Sequence, residues 1–248
     1  MFYFFARTAD DVADHKDLKS KEKLRILNFF DKSIKTNQNT DISVLENIVD
    51  NFEKYKFSKN QSRKILVAFK LDATKKRYKN WYELLYYCKY SANPVGRFFI
   101  DVIYREKNKT IPDKKIIEAS DSLCTALQII NHIQDCKTDF IKLNRVYIPL
   151  TFFKKYNLSV KILKNSKSPE KFKIIKDNII TKTEHLMKNC QKDLGLIDIW
   201  RLKKETLIIL NIAKRLCFLL KNNDPLEKKI KLSRIDLIFC FIKGIIWD

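Results

Sequence analysis

Residues 126–140 read ALQIINHIQDCKTDF. At the period of a helix, Leu127, Ile130 and Ile133 lie near one apolar flank, while Asn131, Asp135 and Asp139 stack one turn above another. Gln128 extends that polar stripe by a further turn. Carboxylates beside apolar side chains are costly unless paired or coordinated, so the stripe is expected to hold a cation. The spacing recurs near the N-terminus in FARTADDVAD, residues 5–14, where Asp10 and Asp14 share a helix face and Asp11 points elsewhere. One such pair alone is ordinarily a solvated face; a second stripe inside an apolar helix is what points to coordination. Hard oxygen donors suit Mg²⁺, which keeps several waters and takes one or two carboxylates plus substrate phosphate, so two such helices are suited to clamp a diphosphate. Arg7, one turn before Asp10, and Arg145, just past Asp139, are the cationic partners expected for phosphate oxygens.

Outward from these stripes the pattern is helical almost throughout. Three glycines and five prolines punctuate 248 residues, too few for sheets joined by tight turns that need positive φ. Helices are expected near 1–16, 20–36, 41–56, 59–77, 79–106 with a disturbance at Pro94–Gly96, 112–140, 168–195, 200–221 and 225–247, with a loop and short helix over 142–156. No composition shift divides the chain, so a single all-α domain over 1–248 is expected. Neither G-x-G-x-x-G nor G-x-x-x-x-G-K-[ST] occurs, which removes the usual support for a dinucleotide-binding or Walker-type NTPase fold.

The formal net charge is +21. Its lysines are spread over nearly every segment and accompany heavy Ile and Asn use, so compositional bias explains it better than nucleic-acid binding, and no nucleic-acid partner is expected. Six cysteines form no C-x-x-C pair and are expected as buried, reduced thiols, placing the chain in the cytoplasm. The late apolar stretches carry Lys214 and Arg215, or Asp236 and Lys243; neither is long enough to span a bilayer, and peripheral contact with the inner membrane surface is the expectation.

The ordered motifs resemble one family. FARTADDVAD at 5–14 resembles the first aspartate-rich motif of squalene and phytoene synthases. LLYYCKYSANPVGR at 84–97 is similar to their second signature, with SANPVGR where phytoene synthases have A-G-x-V-G. Residues 126–140, followed by RVYIP at 145–149, resemble the second aspartate-rich motif and its trailing loop. SANPVGR and the run DSLCTALQ-x-x-N at 121–131 tilt the likeness toward the hopanoid-pathway hydroxysqualene synthase branch.

The resemblance implies a single-domain isoprenoid synthase fold with helices around a central cavity. It implies Mg²⁺ as cofactor, an isoprenoid diphosphate as substrate, and Asp10, Asp14, Asn131, Asp135 and Asp139 as metal ligands. Arg7, Gln128 and Arg145 match diphosphate-contacting positions, and Tyr3, Tyr87 and Tyr147 match cavity tyrosines, whose phenols can stabilise a carbocation or move a proton. The implied reaction is ionisation and rearrangement of presqualene diphosphate with capture by water. Head-to-head condensation of farnesyl or geranylgeranyl diphosphate, or a non-catalytic assembly role, are the alternatives. Two departures stand out: about forty residues that family members carry ahead of the first motif have no counterpart here, and His15 replaces an often acidic residue. Phe2, Phe4 and Phe5 are therefore expected to form an exposed aromatic patch.

Overall fold

The structure, a computed structural model, describes residues 2–36, 45–46, 50 and 59–246. It is all-α, as expected, with no strand among the described residues. The helices are α1 (Phe2–Asp14), α2 (Ser20–Thr36), α3 (Lys59–Thr74), α4 (Trp81–Ser91), α5 (Asn93–Glu106), α6 (Lys114–Gln134), α7 (Cys136–Leu143), α8 (Leu150–Lys155), α9 (Glu170–Leu186), α10 (Cys190–Leu194), α11 (Trp200–Asn222) and α12 (Arg234–Ile246). A 3₁₀ turn covers Val160–Lys164. The helix expected over 41–56 lies largely outside the described residues. Among the described residues no helix is long and apolar enough to cross a membrane.

Packing divides the chain into two compact units, one of residues 1–75 and 86–111, the other of 76–85 and 112–248. In the first, α1 presents Phe2, Phe5, Ala9 and Ala13 at helical spacing to Leu27, Phe30 and Ile34 of α2, Leu66, Phe69 and Ala73 of α3, and Phe98 of α5. The two alanines leave room for close approach of the neighbouring helices. This corrects the exposed aromatic patch: Phe2 stacks on Phe98 with ring centroids 4.2 Å apart, Phe5 is fully buried near Phe30, and only Phe4 stays open. The α1 C-terminus is fixed by Lys23, whose Nζ donates to the Ala13 carbonyl at 2.9 Å, satisfying an acceptor the helix end leaves open. The helix therefore stops at Asp14 rather than running to 16.

In the second unit α6 is central, burying Ile116, Leu123, Ala126, Ile129, Ile130 and Ile133. It starts two residues later than Pro112 suggests, because Asp113 caps it by accepting from the Lys115 N–H at 3.3 Å. The single helix expected over 112–140 is interrupted at Asp135, whose backbone (φ −103°, ψ 8°) leaves the helical region. Hydrogen bonds nevertheless run on in register, from Asp135 N to Asn131 O at 2.9 Å and from Asp139 N to Asp135 O at 2.8 Å.

The other expected helices also need adjustment at their ends. Pro94 lies in the first turn of α5, where a missing N–H is tolerated, so the disturbance falls at Ala92. The segment 168–195 splits into α9 and α10 around Met187–Asn189. Residues 223–233 form a loop because Asp224 accepts from both the backbone N–H (2.6 Å) and Oγ (2.5 Å) of Ser168 and from Leu226 N at 2.9 Å, turning the chain before Pro225. With so few glycines, the positive-φ positions past helix ends fall to Asn108, Asn144 and Asn157, the residue type that tolerates αL best after glycine.

The loop after α7 is buried from Arg145 to Pro149. Buried loops need partners for their backbone groups, and residues 76–79 supply them. Val146 N donates to Lys76 O at 2.9 Å, Leu150 N to Tyr78 O at 2.8 Å, and Thr151 N to Lys79 O at 3.0 Å. Arg77 and Val146 form a parallel bridge, and the Arg77 guanidinium donates to the Asn144 side-chain oxygen at 2.6 Å and to its carbonyl.

Candidate functional site

Along α1, Tyr3, Arg7, Asp10 and Asp14 follow one another at spacings of four, three and four, on the side away from the buried phenylalanines and alanines. Tyr3 is 71% exposed. Arg7 reaches along the helix, with one guanidinium nitrogen 3.5 Å from Asp10 Oδ2 and the other 2.9 Å from Asp11 Oδ1. Asp11, read as pointing elsewhere, thus joins the first stripe through Arg7. Tyr87, on α4 in the same unit, is buried, and its hydroxyl donates to Asp72 Oδ2 at 2.7 Å.

Asp72 was not singled out in the sequence. Its signal was present: it occupies an apolar register of α3, one turn after Phe69 and beside Ala73, where a carboxylate is costly unless hydrogen-bonded.

In the second unit, Asn131 is exposed, Asp135 and Asp139 are half-buried, and Arg145 and Tyr147 are buried. Lys229, 94 positions further along, places Nζ 3.1 Å from Asp135 Oδ1. The Arg145 backbone N–H donates to the Asp139 carbonyl at 3.1 Å, tying the basic loop to the acidic helix.

His132 connects the remaining residues. Its ring lies 3.6 Å from that of Tyr147 at 14°, and Tyr147 stacks in turn on Tyr78 at 5.4 Å. Gln128 Nε2 is 3.3 Å from His132 Nε2; since the amide nitrogen donates, the imidazole accepts there. Burial, with the nearby Arg145 charge, lowers the His132 pKa to about 3, so the ring is neutral.

A histidine buried neutral has a folded pKa below its unfolded value of 6.5. Its contribution is complete above pH 6.5 and is lost as the pH falls toward 3. By pH 5 the loss is about 2 kcal/mol. His132→Phe, which keeps a flat ring against Tyr147, is expected to remove that part of the acid sensitivity, read from urea melts of the metal-free chain at pH 7 and 5. Identical pH slopes in both proteins would show that His132 is not the group responsible.

Among the described residues no group of three or more His, Cys, Asp or Glu side chains could by itself hold a metal ion. The donors on the two stripes are carboxylates and an amide, the hard oxygens that suit Mg²⁺ sharing its shell with water and phosphate. The thiol nearest them is no competitor. Burial, and then the neighbouring Asp139, push Cys136 up to about 12, so it stays protonated. The donor chemistry therefore fits Mg²⁺ rather than a thiolate-bound metal.

The profile of the squalene/phytoene synthase family matches residues 1–236, which contain both acidic stripes and the buried loop after the second. The chain belongs to the squalene/phytoene synthase family. It is similar to the hydroxysqualene synthase of Sinorhizobium fredii (strain NBRC 101917 / NGR234), 35% identical over 237 residues, which are 96% of this chain and 78% of that one. The hydroxysqualene synthase of Rhodopseudomonas palustris (strain ATCC BAA-98 / CGA009) is 33% identical with the same coverage. Squalene synthase HpnC from Alicyclobacillus acidocaldarius superposes with a TM-score of 0.74 at 20% identity, over 89% of this chain and 80% of that one. A dehydrosqualene synthase superposes with a TM-score of 0.79 at 17% identity, over 98% and 83% of the two chains. These two likenesses bear on the fold alone, the all-α isoprenoid synthase fold.

Proposed function

We propose that this member of the squalene/phytoene synthase family ionises presqualene diphosphate and, after rearrangement of the cyclopropylcarbinyl cation, lets water capture it to give hydroxysqualene. The observation that carries the reading is the pair of acidic stripes, each kept at helical register beside a buried apolar face and each with a carboxylate paired to an exposed cation. The likeness to hydroxysqualene synthases over nearly the whole chain supports it.

Asp10 and Asp14 on one stripe, and Asn131, Asp135 and Asp139 on the other, would hold Mg²⁺. When bound, the metal supplies charge stabilisation to the departing diphosphate. Arg7 and Lys229, which pair with Asp10 and Asp135, would be the exposed cations offered to phosphate oxygens. Arg145 adds a buried guanidinium whose charge is undiminished by water.

Tyr147 is held on its ring faces by His132 and Tyr78, and the neutral imidazole adds no positive charge beside it. Tyr87 is held by Asp72, which fixes the direction of its hydroxyl. Tyr3 is the most open of the three tyrosines and is assigned to substrate contact at the head of the first stripe.

The decisive experiment incubates the purified chain with presqualene diphosphate and Mg²⁺ in ¹⁸O-labelled water. Mass spectrometry is expected to show hydroxysqualene carrying the label in its hydroxyl. Turnover of farnesyl diphosphate to presqualene diphosphate, with presqualene diphosphate itself untouched, would reassign the reaction to condensation and overturn the reading.

A further inference from the structure

Helix α12 reverses the usual arrangement of an amphipathic helix. Its buried positions are Asp236, Cys240 and Gly244, one turn apart, forming a narrow stripe against α11. The fit is close: a methyl group on Gly244 would lie 2.5 Å from Ile208 Cγ1 and 2.8 Å from the Ile208 Cα. Asp236 faces inward, accepting from Arg215 Nε at 2.6 Å and from the Ser233 N–H and Oγ at 2.8 and 2.7 Å. Small and polar groups thus make the contact with the protein, and the large apolar groups point away.

Ile235, Ile238, Phe239, Phe241, Ile242 and Ile246 are between 49% and 79% exposed. At 100° per residue they occupy the arc opposite the buried stripe. A contiguous apolar face of this kind marks a surface that another phase or molecule covers. Its charge pattern says which. No exposed residue of α12 is acidic; the remaining charges are Arg234 at its start and Lys243, whose Nζ lies 5.9 Å from the Phe239 ring centroid. The approach to the helix adds exposed Lys228 and Lys231.

Phosphate headgroups above acyl chains complement a basic collar around an apolar arc. A second copy of this chain would instead bring the same cations together, on a protein of net charge +21. At 13 residues the helix is about 20 Å long, too short to span a bilayer and suited to lie in its surface.

We propose that α12 docks the protein on a bilayer containing anionic phospholipid, with the axis in the membrane plane and the Ile235–Ile246 face among the upper acyl chains. This inference rests on the surface of α12 alone and is independent of the diphosphate chemistry.

Flotation of the full chain with vesicles tests it. With phosphatidylcholine vesicles containing about one-third phosphatidylglycerol the protein is expected to float, and with pure phosphatidylcholine at least about tenfold less. Ile238→Glu with Ile242→Glu, both at open positions, is expected to lower binding to anionic vesicles at least about tenfold, without moving the thermal melt. Lys231→Glu with Arg234→Glu should abolish the preference for anionic lipid. A wild-type chain that stays in the aqueous layer with both vesicles overturns the proposal. So does light scattering that shows a dimer dissolved by the isoleucine variant in the absence of flotation, since the face would then be a protein interface.

Discussion

Asp10→Ala and Asp135→Ala are each expected to lower turnover of presqualene diphosphate by about a thousandfold or more, while the proteins melt within a few degrees of the parent. The first part follows from the assignment of these carboxylates to Mg²⁺. Loss of a metal ligand removes transition-state charge stabilisation of about 4 kcal/mol, which corresponds to three powers of ten in rate. The second part follows from how they are held. Asp10 pairs at 3.5 Å with an Arg7 side chain that is 59% exposed, and surface pairs contribute about 0–1 kcal/mol. Asp135 sits at a helix junction where its side chain makes no capping hydrogen bond, and its Lys229 partner is exposed. In a chain of this size about 1 kcal/mol moves the melt by about 2–4 °C. Activity, far-UV circular dichroism and thermal melts on the same preparations provide the comparison. A variant that melts about 10 °C lower would mark the carboxylate as structural and remove it from the metal assignment.

The largest effect expected on stability comes from a residue remote from both acidic stripes. Lys176 on α9 is 4% exposed, and its Nζ donates to the carbonyls of Leu220 at 2.5 Å, Lys221 at 3.2 Å and Asn223 at 3.0 Å. These are the acceptors left open at the C-terminus of α11, where a cation is also favoured by the helix dipole. Burial lowers the lysine's pKa below its ordinary value, with only Asp177 and more distant Asp224 opposing the shift.

Lys176→Met keeps the length of the side chain but leaves three carbonyls without their donor. With charge-assisted bonds worth about 1.5–3 kcal/mol and not additive, the loss is expected at about 3 kcal/mol, or about 10 °C in the melt. Lys173→Met, which removes an exposed pair with Glu170, serves as the control and should be nearly silent. A Lys176→Met protein melting with the control would contradict the bracing role.

That brace also reaches the second stripe. The loop it anchors, residues 223–233, receives Gln134 Nε2 on Ile230 O and Lys137 Nζ on Leu226 O, both at 2.7 Å, and carries Lys229 to Asp135. Faster hydrogen exchange over 223–233 in Lys176→Met would report the loosening.

Local spacing made much of this architecture readable from the residues. Phe2, Phe5, Ala9 and Ala13 repeat at the helical period, and Tyr3, Arg7, Asp10 and Asp14 fall on another face by the same arithmetic. The scarcity of glycine pointed to helices with polar loops, and the three αL asparagines at helix ends are how the chain meets that scarcity. Spacing failed where distant partners decide. Phe2 is buried because Phe98 stacks on it, and nothing near Met1 encodes that.

The break at Asp135 was invisible because the i to i−4 bonds continue through it, so the polar stripe keeps its period. Lys229, Lys176 and Asp224 act through contacts tens of residues away, for which a lysine or aspartate in a polar run carries no signal. His132 reads as one more polar residue in a helix until its stacking partner arrives from the loop after α7.

The interleaved connectivity of the two units bears on how the chain is made. Residues 76–85 leave the ribosome among the segments of the first unit but belong to the second. Arg77 must wait for Asn144, 67 positions later, before the bonds that order the buried Arg145–Pro149 loop can form. Until then Tyr78, almost fully buried in the finished protein, has no Tyr147 to pack against. The second unit thus cannot close during early synthesis, and its long-range pairings place a slow, chaperone-accessible interval between translation of α3 and completion of the fold.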